Sequence, residues 1–171
     1  MISRLMDLYR RFVWSPVKYA RFLGVKLGNN CSVATRYFGS EPYLIEIGDH
    51  VQITQDVRFF NHGGGWVFRH KHPDFDTFGK IKIGNNVYIG ACAMIMPGVT
   101  IGNNVIIGAA TVVTKSIPDN AVVAGNPGRV LGNVDELETR LLPYNLRSKG
   151  MSPAEKRAFL LSVEDDRLIK K

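Results

Sequence analysis

The chain has only two cysteines in 171 residues, Cys31 and Cys92, and they form no CxxC motif. They read as small apolar fillers, a usage that suits a reducing cytosol. No apolar run reaches about 18 residues, so no segment is expected to span a membrane. Arginines interrupt the N-terminal apolar stretch and no small-residue cleavage site follows it, which argues against a signal peptide. Charged residues make up 22% and hydrophobic ones 45%, the balance of a chain that buries a core rather than staying disordered. The net charge of +7 raises the question of nucleic acid. The basic residues are spread over both ends and the middle without a recognition motif, so no nucleic-acid partner is expected.

What the chain does have is a period. Ile83, Ile89, Ile95, Ile101, Ile107 and Val113 return at every sixth position, usually with Gly directly behind them. Six fits neither the 3.6 of a helix nor the alternation of a hairpin sheet, so the unit is a short strand plus a corner. Hexapeptide repeats of this kind build a parallel β-helix. The first residue of each unit points inward, and the residue four later (Val87, Ala93, Val99, Val105, Thr111, Ile117) shares that interior. Gly or Asn between them is expected to let the backbone turn. Three units close one triangular coil, so residues 83–118 form two coils, each strand stacked on its equivalent one coil away.

The same phase runs through residues 47–62 and, earlier, 27–32. Between His62 and Ile81 it vanishes. The 36 residues from Ile47 to Ile83 make one coil plus an insertion of about a coil's length, residues 63–80. Loops that long are usually functional or disordered, and this one carries Trp66, Phe68, Phe75 and Phe78, enough apolar surface to pack.

The expected class is all-β with helical extensions: a helical segment over 1–23, a β-helix domain over 24–131 interrupted by 63–80, and a helical tail over 132–171. Residues 1–26 hold Arg4, Arg10, Arg11, Lys18, Arg21 and Lys26 against Asp7, among Leu5, Met6, Tyr9, Phe12, Val13 and Trp14. This is a basic amphipathic helix broken near Pro16. It has two readings: a cap that closes the open coil end or packs on a neighbouring subunit, or a contact of residues 1–22 with an anionic membrane face. In the tail, residues 134–142 read as a short amphipathic helix and 143–150 as a linker. A second helix over 152–163 opens with the capping box Ser152-Pro153-Ala154-Glu155.

Three pieces carry a resemblance: the repeat IGNNVYIGACAMIMPGVTIGNNVIIGAATVVTKSIP, its exit VVAGNPGRVL, and FNHGGGWVFR at the start of the loop. They resemble the hexapeptide-repeat acyltransferases, which carry acetyl groups from acetyl-CoA to sugars and antibiotics. Residues 39–45 and the loop look most similar to the branch associated with capsule and lipopolysaccharide biosynthesis. The resemblance covers about residues 24–131. It implies a left-handed β-helix, a homotrimer with active sites between subunits, acetyl-CoA as co-substrate with no metal needed for the chemistry, and a cytoplasmic enzyme, at the inner membrane face if the N-terminal helix binds there.

Attack of a sugar hydroxyl on a thioester requires removal of the hydroxyl proton, a task suited to a neutral imidazole near pH 7. The family places a histidine where a coil gives way to the long loop, and His62 occupies that place. His70 and His72 are rival bases within the loop, and His50 sits at a repeat corner as a solvated side chain. Several relatives follow the histidine with Asp where this chain has Gly63, and His62 sits nearer the preceding repeat than in the galactoside branch. A carboxylate orienting the ring must then come from elsewhere, with Asp56 and Asp74 as candidates, or a backbone carbonyl serves. By match to the motif, Ala91 and Ala109 would line the pantetheine arm, the Ala91 amide also facing the thioester oxyanion. Thr114, Lys115 and Arg129 would meet the nucleotide end, where cations suit phosphates. The second basic residue that sometimes follows is replaced by Val130-Leu131-Gly132. For the acceptor, Glu41 matches a region where relatives hold the sugar with a carboxylate. Arg69 could bind a glycan, and Trp66 is either a stacking platform or loop core. Acetylation of an amino sugar at nitrogen is the alternative to transfer to oxygen. A zinc hydratase on the same fold would need three histidines around one metal, and the spacing of His62, His70 and His72 does not match it.

Overall fold

The computed structural model describes residues 2–170; Met1 and Lys171 lie outside the described residues, as do the side chains of Ile2, Ser3, Arg4, Leu5 and Asp7. Two compact units divide the chain, residues 1–134 and 135–171. The first begins with helices α1 (Ile2–Val13) and α2 (Pro16–Phe22). Strands follow as β1 (Lys26–Leu27), β2 (Ser32–Val33), β3 (Ile45–Ile47), β4 (Val51–Ile53), β5 (Arg58–Phe59), β6 (Ile81–Ile83), β7 (Val87–Ile89) and β8 (Met94–Ile95). They continue as β9 (Thr100–Ile101), β10 (Val105–Ile107), β11 (Val112–Val113), β12 (Ala121–Ala124) and β13 (Arg129–Asn133).

These strands form the three faces of a left-handed β-helix, in the orders β1-β3-β6-β9, β13-β12-β10-β7-β4-β2 and β11-β8-β5. The hydrophobic period explains the register. Ile47 pairs with Ile83 across the insertion, Ile83 with Ile101, and Phe59 with Ile95, so the sequence gap is spliced out of the stack. Every position expected to face inward between 83 and 118 is buried, including Ala93 and Thr111 at 0% exposure. Fully burying one aliphatic side chain is worth roughly 1.5–3 kcal/mol, and each short strand gains it only when its neighbours are in place.

At the corners the expectation holds for Asn and fails for the glycines behind the aliphatic residues. The glycines behind the aliphatic residues are not the left-handed positions; those are Asn30, His50, Asn86, Asn104 and Asn120 on one corner (φ 53 to 58°), and Asp56, Cys92 and Ala110 on another (φ 57 to 61°). The glycines are required by close stacking, since a Cβ on Gly84 would lie 2.7 Å from Gly102 O of the next coil. Beside the first corner runs a ladder: backbone N–H groups of Asn29, Asp49, Asn85 and Asn103 donate to side-chain oxygens of Asp49, Asn85, Asn103 and Asp119 at 2.6 to 2.8 Å. Cys92 is exposed at its corner rather than filling the coil, and Cys31 is half-buried.

At the N-terminal end α2 caps the stack. Ala20 is fully buried, and Arg21 Nη2 donates to Leu27 O and Gly28 O at 3.3 and 3.1 Å. Helix α1 is held to the coil through Arg36 Nη2, which donates to Trp14 O at 2.7 Å, while Met6, Leu8, Tyr9, Phe12 and Val13 remain exposed. At the other end β13 returns antiparallel to β12 after the turn through Gly125 (φ 101°) and ends at Asn133, past the expected boundary at 131. An apolar, valine-containing segment beside an open strand edge pairs with it rather than turning helical at once. Helix α3 is Val134–Leu141. In the second unit α4 (Pro153–Ser162) carries the expected capping box from Ser152 and Glu155.

Candidate functional site

The site forms where β5 leaves the coil. Phe59 is buried and stacks on Phe38 of the preceding coil with ring centroids 5.6 Å apart. Asn61 O then accepts from Gly79 N at 2.7 Å, and His62 forms an antiparallel bridge with Phe78, whose ring lies edge-on to the imidazole at 5.4 Å. The loop of residues 63–77 is thus tied off at its neck, with His62 fixed there rather than carried out on the loop. Gly64, at φ 76°, lets the chain turn away at once.

The preceding coil supplies the partner. Gly39 adopts φ 70°, and a Cβ there would collide with the Asn61 amide; the small residue allows Ser40 and Glu41 to approach the histidine. Glu41 Oε2 lies 2.7 Å from His62 Nδ1, and Ser40 Oγ donates to the same carboxylate oxygen at 3.0 Å. A carboxylate only accepts, so this contact puts the imidazole proton on Nδ1 and leaves the Nε2 lone pair free. The Glu41 side chain is 16% exposed and that of His62 40%, so the orienting group is sheltered and the ring accessible.

Glu41, expected to hold the acceptor, is the carboxylate in contact with the imidazole, a place for which Asp56, Asp74 or a backbone carbonyl were the candidates. Asp56 is exposed at a coil corner and Asp74 in the loop, and neither bonds to His62. His70 Nδ1 faces Val67 O at 2.9 Å within the loop, away from this constellation. His50 is exposed as expected but is not simply solvated, since its Nδ1 lies 2.8 Å from Asn86 Oδ1. Trp66 is 81% exposed and so is not loop core. Arg69 donates to Phe75 O at 3.3 Å and lies 4.0 Å from Asp76, while Phe68 packs on Phe75 at 4.9 Å, which gives the loop a small core of its own.

Beside His62 opens a pocket of about 520 Å³ whose lining includes Ser40, Asn61, Tyr37, Arg36, Arg58 and, from α1, Arg11. Sequence reading missed these residues. Asn61 was open to notice as the neighbour of His62, but the others are brought to it only by coil stacking. A second pocket, of about 280 Å³, brings together Thr114, Lys115 and Arg129 near Gly128. Ala91 and Ala109 occupy equivalent places on successive coils, joined where Ala110 N donates to Ala91 O at 2.8 Å. Ala109 is exposed and Ala91 half-buried, and neither lines the Lys115 pocket. Among the described residues no group of three or more His, Cys, Asp or Glu is placed to hold a metal ion, and no helix is long and apolar enough to cross a membrane.

Comparison with known proteins agrees with this fold. Residues 80–115 match the family described as bacterial transferase hexapeptide (six repeats). The chain is 51% identical over 146 residues to Protein CapG of Staphylococcus aureus, covering 83% of this chain and 85% of that protein. It is 35% identical over 127 residues to the galactoside O-acetyltransferase of Escherichia coli (strain K12), covering 73% of this chain and 62% of that protein, so it spans less than two thirds of that relative. A solved galactoside acetyltransferase in complex with coenzyme A superposes with a TM-score of 0.63 at 28% identity, over 81% of this chain and 82% of the other. The chain belongs to the hexapeptide-repeat transferases and is an acetyltransferase of that family.

Proposed function

We propose that the protein transfers an acetyl group from acetyl-CoA to a hydroxyl of a sugar or glycan, in the synthesis of a capsule, O-antigen or exopolysaccharide. The observation that carries the chemistry is the 2.7 Å contact between Glu41 and His62 at the neck of the loop. In this reading the acceptor hydroxyl binds at Nε2 of His62 with the thioester carbonyl beside it. As the oxygen attacks the carbonyl carbon, its proton passes to Nε2, and Glu41 stabilises the imidazolium that forms. The tetrahedral intermediate collapses, the carbon–sulfur bond breaks, and the leaving thiolate takes the proton back from Nε2. The products are the O-acetylated sugar and CoA-SH, with no acyl-enzyme.

The coenzyme runs along the coil corner at Ala91 and Ala109, with Thr114, Lys115 and Arg129 meeting its phosphates; their shared pocket supports the nucleotide end. Trp66 and Arg69, both exposed on the loop, stack on and bind the glycan in this reading. The assembly is a homotrimer with each site between two subunits, at work in the cytoplasm, where acetyl-CoA is made, or at the inner membrane face.

The test is direct. Purified protein with acetyl-CoA should release thiol when a sugar from a neutral, amino and nucleotide-linked panel is present, and the product should gain one acetyl group by mass. An acetyl group found on nitrogen would redirect the reading to amino sugars, and no release with any sugar would sink it. Sedimentation equilibrium should give three times the chain mass.

A further inference from the structure

The pocket beside His62 has a chemistry that a neutral sugar does not call for. Arg11, Arg36 and Arg58 line it, and no carboxylate does; Glu41, its nearest acidic neighbour in sequence, is taken up by His62. No ion pair joins these three arginines to any acid among the described residues. Their guanidinium carbons lie near tyrosine rings instead: those of Arg11 and Arg58 are 5.8 and 5.0 Å from the Tyr37 centroid, and that of Arg36 is 5.8 Å from that of Tyr19. A cation–π contact uses the face of a guanidinium and no edge donor; of those donors Arg36 Nη2 is taken up by Trp14 O. Arg36 Nη1 is buried without a hydrogen-bond partner. Asn61, 1% exposed, lines the same pocket with neither amide atom paired. Buried donors left unpaired are costly, and the two here, Arg36 Nη1 and Asn61 Nδ2, beside three arginines point to a ligand rich in acceptor oxygens.

We propose that the acceptor is a glycosyl phosphate or diphosphate, its phosphate held by Arg11, Arg36 and Arg58 with Asn61, so that the attached sugar extends toward Nε2 of His62. The volume of about 520 Å³ accommodates a phosphorylated sugar. The inference rests on the acetyl-transfer reading for what happens to the sugar, but the anion site stands on its own geometry. The same diphosphate chemistry occurs in a nucleoside diphosphate sugar and in a polyprenyl-linked one.

The experiment separates these points by measuring binding without chemistry. Inorganic pyrophosphate, UDP and farnesyl diphosphate are titrated calorimetrically into the full chain and into Arg58→Ala, Arg36→Ala, His62→Ala and Lys115→Ala. Pyrophosphate should bind, weaken about tenfold or more in Arg58→Ala, and persist in His62→Ala and Lys115→Ala, since each lost charged hydrogen bond is worth about that factor. Arg36 also holds α1, so its variant is judged only if its thermal transition is unchanged; Arg58→Ala, on an exposed side chain, carries the test alone otherwise. Tighter binding of UDP than of pyrophosphate assigns the nucleotide source, and tighter binding of farnesyl diphosphate the lipid source. Loss of binding in Lys115→Ala with none in Arg58→Ala would overturn the proposal, because the anion would then occupy the coenzyme's phosphate pocket. Absence of pyrophosphate binding altogether would overturn it too. A protein that binds pyrophosphate through Arg58 yet acetylates no sugar keeps this site and loses the acetyl-transfer reading instead.

Discussion

Two histidines, each at a turn of this β-helix, show how the fold assigns chemistry by partner rather than by residue type. His50 sits in a left-handed corner (φ 55°) among Asn30, Asn86, Asn104 and Asn120, with a neutral amide oxygen 2.8 Å from Nδ1. His62 lies where the repeat is broken, with a carboxylate at 2.7 Å and an arginine-lined pocket beside it. Both rings are exposed. The corner gives His50 a structural rung in a ladder. The break gives His62 a fixed tautomer, a free Nε2 and a place for a reacting group.

The largest test of that contrast is His62→Ala. CoA release in the presence of acceptor should fall by about 10²–10⁴-fold, the usual contribution of a positioned general base, while the thermal transition stays in place. Substantial surviving turnover would transfer the role to His70 or His72. Next comes Glu41→Gln. A Gln oxygen still receives the Nδ1 proton but no longer stabilises the imidazolium, so kcat should fall on the order of 10²-fold with the KM for acetyl-CoA unchanged. An equal loss in kcat and acetyl-CoA affinity would mean that Glu41 supports the coil rather than the ring.

The contrast also explains what could be seen in the chain beforehand. Inward positions from Ile83 to Ile117 were legible because the period of six survives without a slip, and burial rewards each of them in the same way. The position of His62 at the failure of that period was legible as well, although the role expected of it came from the family resemblance. Glu41 was not legible as its partner. The two are 21 residues apart and meet through a coil that carries its own irregular 3-10 turn, Pro42–Leu44, so no repeat arithmetic puts them together. Arg36 and Arg58 escaped notice for the same reason. The reason given for the glycines was also displaced: corner strain falls on the Asn and His positions, whereas Gly84 answers to the backbone of the next coil.

Within the regular region, Asp119 offers a smaller effect with a definite sign. Hydrogen bonds from the Asn103 backbone N–H and then its side chain hold the Asp119 carboxyl below the usual carboxylate range. A lowered folded pKa contributes stability that is present above the unfolded value and is lost as pH falls through the folded one, here below about pH 4. Asp119→Asn should therefore lower stability slightly at neutral pH, where the parent protein has this contribution, and flatten the acid limb of a thermal-stability profile so that the two proteins converge as pH falls. An acid limb identical in both proteins would assign it to other carboxylates.

The smallest expected effect belongs to His50→Asn, and its smallness is the point. Along this corner Asn86 Nδ2 donates to Asn104 Oδ1 at 2.8 Å, and Asn104 Nδ2 to Asn120 Oδ1 at 2.7 Å. An Asn at position 50 can donate to Asn86 Oδ1 in the same sense as the imidazole does now, and Asn tolerates the left-handed conformation better than most residues. Stability should move by no more than about 0.5 kcal/mol by denaturant unfolding, and acetyl transfer should not change. A histidine whose replacement by its own neighbours' residue costs nothing is a rung. If His50→Asn instead lowered turnover with the fold intact, the division between a structural corner and a reactive break would fail at its most regular point.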